Sequence, residues 1–416
     1  MYQGKRNEQR AVTFKGSIGR LCLVLLLFAP LLSGCWDSVE LNQRAVVAGI
    51  GIDMVGESDY EVSLQVIVAD EIAGAKARGD TPVVLYREKG KNLFQALRRA
   101  SQKVPRIISL AHTKLVVIGE KLARAGIGDM MDSLERSTEI RLPVKMLVAR
   151  GNTGKDVLAI MTAIGRIPAN DISGKLETSE RLYAGDYAVT IDDVIRSMSH
   201  KGGGPVLTGI GVNGNLEQAA SKNNVDNILP KAIVHINGMG VFKKDRLVHF
   251  LTAAQCCLGT FHLVVDHRQS NGLVIIQPAD NRETIGIETL FSATKIHTRM
   301  EQGEPIFVIN LKQTGAVQEA ECSINLQSPE AMKRLQEQWT EETKKVIAST
   351  VRDIQRTRSD VIGFGLALER SHPQQWKRLS HDWSRYFAES TVRIQVTSIL
   401  KHTQSRTNPY SKGESD

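Results

Sequence analysis

The chain has 416 residues and a formal net charge of +8, and it contains five cysteines. The first 34 residues hold five basic side chains and one acidic side chain, so the remaining 382 residues have 48 basic and 44 acidic side chains and a net charge of +4. This balance is too even to indicate a nucleic-acid-binding protein, although it allows a mild attraction to anionic lipid headgroups. The length is enough for two or three domains with apolar cores.

The first predicted element is an export signal. Residues 1–20 carry the basic side chains, and residues 21–32 (LCLVLLLFAPLL) are apolar. This arrangement is typical of a signal peptide, and the apolar segment is shorter than the roughly 20 residues that a spanning helix needs. Small residues then precede Cys35, which resembles a bacterial lipobox. We predict cleavage between Gly34 and Cys35, an S-diacylglycerol group on Cys35 and N-acylation of its new N-terminus. An ordinary signal peptide with an incidental cysteine is the alternative.

Apolar periodicity predicts a mixed sheet packed with helices in the N-terminal half. Residues 60–68 alternate apolar and polar side chains, as in a half-buried strand. Residues 93–104 place apolar side chains on one helix face, and Asn92 is the predicted helix cap. The predicted strands are 45–53, 60–68, 81–87, 114–118 and 144–149, and the predicted helices are 92–105 and 121–136. This irregular order indicates an α/β or α+β lobe.

A domain boundary is predicted after residues 154–199, which have a mostly helical pattern. Residues 201–205 (KGGGP) interrupt that pattern, and residues 213–227 are rich in Asn, Gln, Ser and Ala. The predicted parts are a signal peptide at 1–34, one N-terminal domain or two subdomains at 35–204, a linker at 205–230, a C-terminal domain at 231–403 and a polar tail at 404–416.

The C-terminal half has the clearest helix. Ser328-Pro329 is a typical helix start, and apolar residues then repeat at helical spacing for about seven turns to Arg358. Further helix starts are predicted at Asp360 and Pro373. The predicted strands are 232–242, 273–277, 288–295, 306–313 and 392–397. The predicted fold is therefore multidomain, α/β to α+β, with mixed sheets packed with helices and a long C-terminal helix.

Motifs of catalysis and cofactor binding are missing from the sequence after residue 34. It has neither a G-x-S-x-G nor an H-E-x-x-H motif. Residues 151–155 (GNTGK) have the wrong glycine spacing for a phosphate loop and predict a turn into a helix. Residues 49–53 (GIGID) lack the third glycine of a dinucleotide site. The remaining cysteines and the nearest histidine pair have no metal-ligand spacing: Cys256, Cys257, Cys322, His262 and His267. We expect no enzyme activity, metal or cofactor.

Several motifs resemble the Ger(x)C family of spore germination lipoproteins. The first is Cys35-Trp36-Asp37-x-x-Glu40, followed by residues 49–53. Residues 238–247 (GMGVFKKDRL) resemble a hairpin of the C-terminal family domain. Residues 360–365 (DVIGFG), followed by Pro373, Trp376 and Trp383, are the most specific match. These motifs occur in the family order and cover nearly the whole chain after residue 34.

The resemblance implies a non-enzymatic C subunit of a nutrient germinant receptor. Such a subunit is lipid-anchored on the outer face of the inner membrane of the spore. It acts there beside two integral-membrane subunits. No nucleic acid is implied, and the germinant and any contact with it stay open. The motif residues have structural or docking roles: Trp36, Asp37, Glu40, Gly363, Phe364, Gly365, Pro373, Trp376 and Trp383. The alternative function is a solute-binding lipoprotein of a transporter, which would need two matched lobes.

Overall fold

The strands form two sheets in a computed structural model that describes residues 40–73, 81–182, 187–252, 272–277, 284–320, 326 and 328–401. The larger sheet has the order β3-β2-β1-β5-β6-β7-β8-β9, and β4 pairs with β1. Its central strands β1, β5, β6 and β7 are parallel, whereas the outer neighbours pair antiparallel. The strands are β1 (Arg44–Val55), β2 (Asp59–Ile67), β3 (Val83–Gly90), β4 (Ile107–Ser109), β5 (Leu115–Gly119), β6 (Lys145–Ala149), β7 (Val206–Gly214), β8 (Ala232–Lys243) and β9 (Arg246–Leu251).

Helices cover both faces of this sheet. They are α1 (Ala69–Ala73), α2 (Leu93–Ala100), α3 (Glu120–Ala125), α4 (Gly128–Glu135), α5 (Gly154–Leu158), α6 (Pro168–Leu182), α7 (Ile191–Ser199) and α8 (Leu216–Ala219). Apolar residues of α2, α3, α4 and α7 share one core with Val116 and Ile118 of β5. Residues of α5, α6 and α8 share another core with Leu115 and Val117. The parallel strand β5 is apolar throughout because both of its faces are buried.

The smaller sheet has the order β10-β11-β12-β13, with β12 and β13 parallel. Its strands are β10 (Gly272–Ile276), β11 (Ile285–Glu301), β12 (Glu304–Ala320) and β13 (Thr391–Lys401). Helix α9 (Pro329–Thr357) packs against it; Ser328 Oγ accepts a hydrogen bond from the Ala331 amide at its start, and the left-handed Arg358 ends it. Three short helices precede β13: α10 (Phe364–Ser371), α11 (Pro373–Leu379) and α12 (Trp383–Glu389).

The predicted fold class is confirmed: mixed sheets pack with helices, and a long helix lies near the C-terminus. The helix predicted at residues 121–136 is two helices, because Gly126 ends α3 with a φ of +135°. The helix predicted at Asp360 begins four residues later, at Phe364. The predicted linker 205–230 contains β7, which is hydrogen bonded within the larger sheet. The division into domains stays a prediction.

The described residues from Ala45 onward form one compact unit. The apolar cores of the described residues lie entirely within it, and one core joins residues of both sheets, such as Phe242 and Phe307. We therefore expect the chain from residue 36 to fold without the preceding segment. None of the described helices is both long and apolar enough to span a membrane. The predicted signal peptide, the polar tail, the three cysteines after Cys35, His262 and His267 lie outside the described residues.

Candidate functional site

A buried carboxylate organises the family motif at residues 360–365. Asp360 Oδ1 accepts hydrogen bonds from the amides of Gly363 at 2.9 Å and Phe364 at 3.0 Å, and Oδ2 accepts from the amide of Gly365 at 2.6 Å. The first amides of a helix have no partner within the helix, so Asp360 supplies the acceptors for the start of α10. The indole Nε1 of Trp383 donates a fourth hydrogen bond to Oδ2 at 2.9 Å.

The aromatic residues of the motif pack around this carboxylate. The rings of Trp376 and Trp383 meet edge to face with centroids 5.1 Å apart, and Phe364 stacks on Phe307 of β12 at 4.4 Å. A Cβ atom on Gly365 would lie 2.9 Å from Trp383 Nε1 and 3.0 Å from the Trp376 ring. A side chain at position 365 would therefore displace the indoles, which explains the glycine.

The glycine run at 202–204 forms the other side of this site. The Gly202 carbonyl accepts a hydrogen bond from the Asp360 amide at 3.1 Å, and a Cβ atom on Gly202 would lie 2.9 Å from Trp383 Cγ and nearer still to Cδ1. Ser359 Oγ donates to the Phe242 carbonyl of β8 at 2.6 Å. We call Gly202, Asp360, Gly365, Trp376 and Trp383 the Asp360 cluster. It joins the loop before β7 to the C-terminal helices.

The electrostatics of Asp360 indicate a structural group. Burial raises the pKa of the Asp360 carboxyl above its usual value, and the four hydrogen bonds oppose that rise without cancelling it. Both carboxylate oxygens accept two donors each, so neither has a free lone pair directed at a substrate. The same contacts make Asp360 a poor general base.

A cleft of about 460 Å³ lies beside the Asp360 cluster, between the end of α7 and the start of α10. Its polar lining includes Ser197, His200, Lys201 and Glu369, and Trp376 contributes an apolar wall. The described residues contain no group of three or more His, Cys, Asp or Glu side chains placed to hold a metal ion. The cleft offers polar contacts and an indole face.

The motif at residues 49–53 also supplies hydrogen-bond acceptors to the start of a helix. Asp53 of β1 accepts hydrogen bonds from the amides of Gly154 at 2.7 Å and Lys155 at 3.0 Å, and Thr153 forms a capping box with Asp156. Burial raises the pKa of the Asp53 carboxyl above its usual value. The two hydrogen bonds favour the charged form and oppose this rise. The prediction that residues 151–155 form a turn into a helix is confirmed.

Gly154 marks the closest approach of α5 to the sheet. A Cβ atom there would lie 2.5 Å from the Val117 carbonyl oxygen and 3.1 Å from Gly51 Cα. We expect Gly154→Ala to lower the free energy of unfolding by about 2 kcal/mol, because the helix must move away from β1 and β5. Urea unfolding of the chain from residue 36 measures this.

The matched control for that prediction is Gly174→Ala on α6, where an added Cβ would meet nothing within 4 Å. It should raise stability by about 0.5–1 kcal/mol, because alanine favours helix interiors over glycine. Equal effects of the two substitutions would contradict the close packing of α5.

The other predicted site residues are placed as follows. Cys35, Trp36 and Asp37 lie outside the described residues. Glu40 is exposed, and its carboxylate accepts a hydrogen bond from Asn42 Nδ2 at 3.1 Å. Pro373 is the first residue of α11. Sequence patterns missed Gly202 as a partner of Trp383, although three adjacent glycines were a signal of an unusual backbone.

Two family models match the chain. The spore germination protein N-terminal domain matches residues 37–212, and the spore germination B3/GerAC-like C-terminal domain matches residues 237–404. The chain belongs to this family of spore germination proteins. The earlier resemblance is thereby confirmed. Gly202 lies in the N-terminal match and the rest of the Asp360 cluster in the C-terminal match, so the cluster joins the two family domains.

Relatives extend over most of the chain. Spore germination protein KC of Bacillus subtilis (strain 168) is 29% identical over 94% of this chain and 97% of its own length. Spore germination protein GerQC of Bacillus cereus is 21% identical over 92% of this chain and 98% of its own length. The crystal structure of the GerBC protein superposes with a TM-score of 0.53 and 19% identity, covering 85% of this chain and 96% of that one, so the fold is shared.

Proposed function

We propose that this chain is the lipid-anchored C subunit of a nutrient germinant receptor and acts with two integral-membrane subunits in spore germination. It would be held on the outer face of the inner membrane of the spore by acyl chains on Cys35. Family membership over both domains supports the germination role. The lipobox-like Ser33-Gly34-Cys35 supports the anchor, since two or more acyl chains attach a protein stably to a bilayer.

The observation that carries a non-catalytic role is the use of the buried carboxylates. Asp53 and Asp360 both bind backbone amides at helix starts, and Asp360 also binds an indole. Each carboxylate thereby holds elements within one family domain. The two domains are joined by the hydrogen bond from the Asp360 amide to the Gly202 carbonyl and by the packing of Trp383 against Gly202. A subunit whose domains are fixed can pass a change at one partner to another partner, which suits a receptor component.

The alternative, a solute-binding lipoprotein of a transporter, would bind its ligand between two matched lobes. Here β7, β8 and β9 continue the sheet that begins with β1, β2 and β3. This arrangement favours the receptor subunit. Titration of the chain from residue 36 with amino acids and sugars distinguishes the two functions. One-to-one binding at micromolar concentrations would support the solute binder instead.

The anchor is tested by Cys35→Ala in sporulating cells. We expect the natural protein to begin at an acylated Cys35 by mass spectrometry, and the variant to lack acyl groups and to germinate poorly in response to nutrients. Cys256→Ala is the control, because it removes a cysteine outside the lipobox and should leave acylation and germination unchanged. A natural N-terminus that is unacylated or begins elsewhere would contradict the anchor.

A further inference from the structure

Two loops on the N-terminal side of the fold carry apolar side chains that are almost entirely in water. Ile164, in the loop between α5 and α6, is 95% exposed, and Ile228 and Leu229, in the loop between α8 and β8, are 100% and 80% exposed. Single exposed apolar residues are common on protein surfaces, but adjacent aliphatic side chains that are at least 80% exposed indicate a surface that something else covers.

The two loops are fastened together at their base by Asn224, which is 1% exposed. Its Nδ2 donates to the carbonyls of Met161 at 2.9 Å and Ala232 at 3.0 Å, and its Oδ1 accepts from the Ala232 amide at 2.9 Å. The Met161 amide donates in turn to the Ala219 carbonyl at 2.9 Å. Because a buried amide with these partners is costly to move, the loops form one unit. We call residues 162–167 and 225–231 the paired loops.

The backbone holds Ile164 outward. Arg166 has a φ of +49°, and the Ile167 amide donates to the Gly165 carbonyl at 2.5 Å, so the chain turns within three residues. Such a tight turn at a residue other than glycine is strained and persists only where its surroundings hold it. Pro230 fixes the backbone directly after Leu229 in the other loop. The apolar tips therefore project instead of folding back onto the core.

The charged and apolar side chains of the paired loops indicate which kind of surface covers them. Arg166, Lys222 and Lys231 lie in or beside the paired loops, are exposed, and form no ion pair with the described residues. Of the nearby acidic side chains, Asp226 lies in the second loop, and Asp171, beside the first loop, forms an ion pair with Lys175 at 3.2 Å. Aliphatic tips beside cations match a lipid surface with anionic headgroups, where apolar side chains enter the acyl boundary and Lys or Arg meets phosphate. Protein interfaces instead favour Trp and Tyr as anchors, and neither occurs in the paired loops.

We propose that the paired loops insert into an anionic lipid surface. This contact goes beyond the proposed anchor at Cys35, because it uses the folded body of the chain and needs no acyl group. An anchor alone leaves the body free to rotate above the bilayer. A second contact of this kind would set which face of the body meets the membrane.

The experiment uses the unacylated chain from residue 36, sedimented with vesicles of phosphatidylcholine alone or mixed equally with phosphatidylglycerol. We expect the chain to bind the mixed vesicles. Substitution of Ile164, Ile228 and Leu229 together by Asn should weaken that binding by about tenfold or more, because each buried aliphatic side chain contributes severalfold to affinity. Arg166→Gln with Lys222→Gln and Lys231→Gln should reduce binding to the mixed vesicles and weaken its dependence on salt.

The matched control makes the same change at Ile107, Leu273 and Ile275, which are each more than half exposed elsewhere on the chain. It should bind as the unsubstituted chain does, and circular dichroism should show all variants folded. The proposal is overturned if the unsubstituted chain binds neither kind of vesicle, or if the paired-loop variant binds as well as the unsubstituted chain. It is also overturned if the control loses as much vesicle binding as the paired-loop variant. None of these results bears on acylation of Cys35, so the proposed function is tested separately.

Discussion

Replacement of Asp360 by Ala should lower the free energy of unfolding by about 4 kcal/mol. The substitution leaves the amides of Gly363, Phe364 and Gly365 and the indole of Trp383 without their acceptor in a buried site. Each buried donor that loses its acceptor lowers the free energy of unfolding by about 1–3 kcal/mol. Water that enters from the adjacent cleft offsets part of this loss. Urea unfolding of the chain from residue 36, followed by tryptophan fluorescence, measures the loss.

Asp382→Ala is the control for this prediction. Asp382 forms an ion pair with Arg385 at 2.7 Å, and both side chains are more than half exposed. Exposed ion pairs contribute about 0–1 kcal/mol, so the control should unfold almost as the unsubstituted chain does. If Asp360→Ala were no worse than Asp382→Ala, the carboxylate would not be what holds α10 and Trp383 in place.

The pH dependence of the Asp360 contribution has a definite sign. Because burial raises the pKa of Asp360 above the value of 3.8 expected for an exposed aspartate, the folded chain binds the proton more tightly than the unfolded chain. The stabilising contribution of this raised pKa is therefore fully present below pH 3.8. It is lost as the pH rises through the pKa of Asp360 in the folded chain. The stability advantage of the natural chain over Asp360→Asn should shrink as the pH rises through this range. An advantage that grew with pH would contradict a raised pKa.

Local patterns predicted most of the elements of this fold but not the partners of its motifs. Alternation placed β2, and helical spacing with Ser328-Pro329 placed α9, because these signals depend on neighbouring residues. The helix start at Asp360 was wrong by four residues, since the carboxylate accepts from amides further along the chain and not from the residues next to it. The strand β7 was hidden in a predicted linker, because the glycines before it signalled only a break.

The candidate site shows the same division between local and distant information. The motif predicted structural or docking roles for Phe364, Trp376 and Trp383, and the structure buries all three side chains. The contact of Trp383 with Gly202 joins parts of the chain that no periodicity relates. Asn224 likewise lies in residues 213–227, whose polar composition predicted a domain boundary. Its side chain is buried and holds two loops together. Contacts made by tertiary packing leave no regular signal in a single sequence.

Gly202→Ala should destabilise the chain by about 3 kcal/mol through two separate effects. Gly202 has a φ of +75°, which an alanine adopts at a cost of about 1–2 kcal/mol. Its new methyl group would also collide with the Trp383 ring, whose Cγ atom would lie 2.9 Å away, so the indole must move from the position in which it donates to Asp360. Besides lower stability in urea, we expect a shifted tryptophan emission in the folded state, because the environment of Trp383 changes.

Gly56→Ala separates the two effects. Gly56 has a φ of +63°, close to that of Gly202, but a Cβ atom there would meet nothing within 4 Å. The control should therefore show the backbone cost alone, about 1–2 kcal/mol, with unchanged emission. If the two variants lost equal stability and kept the same emission, Gly202 would not pack on Trp383, and the glycine run would have no part in joining the two family domains. A larger loss at Gly202 would instead support the view that this loop fixes the C-terminal helices to the larger sheet, which is the rigidity that the proposed receptor role needs.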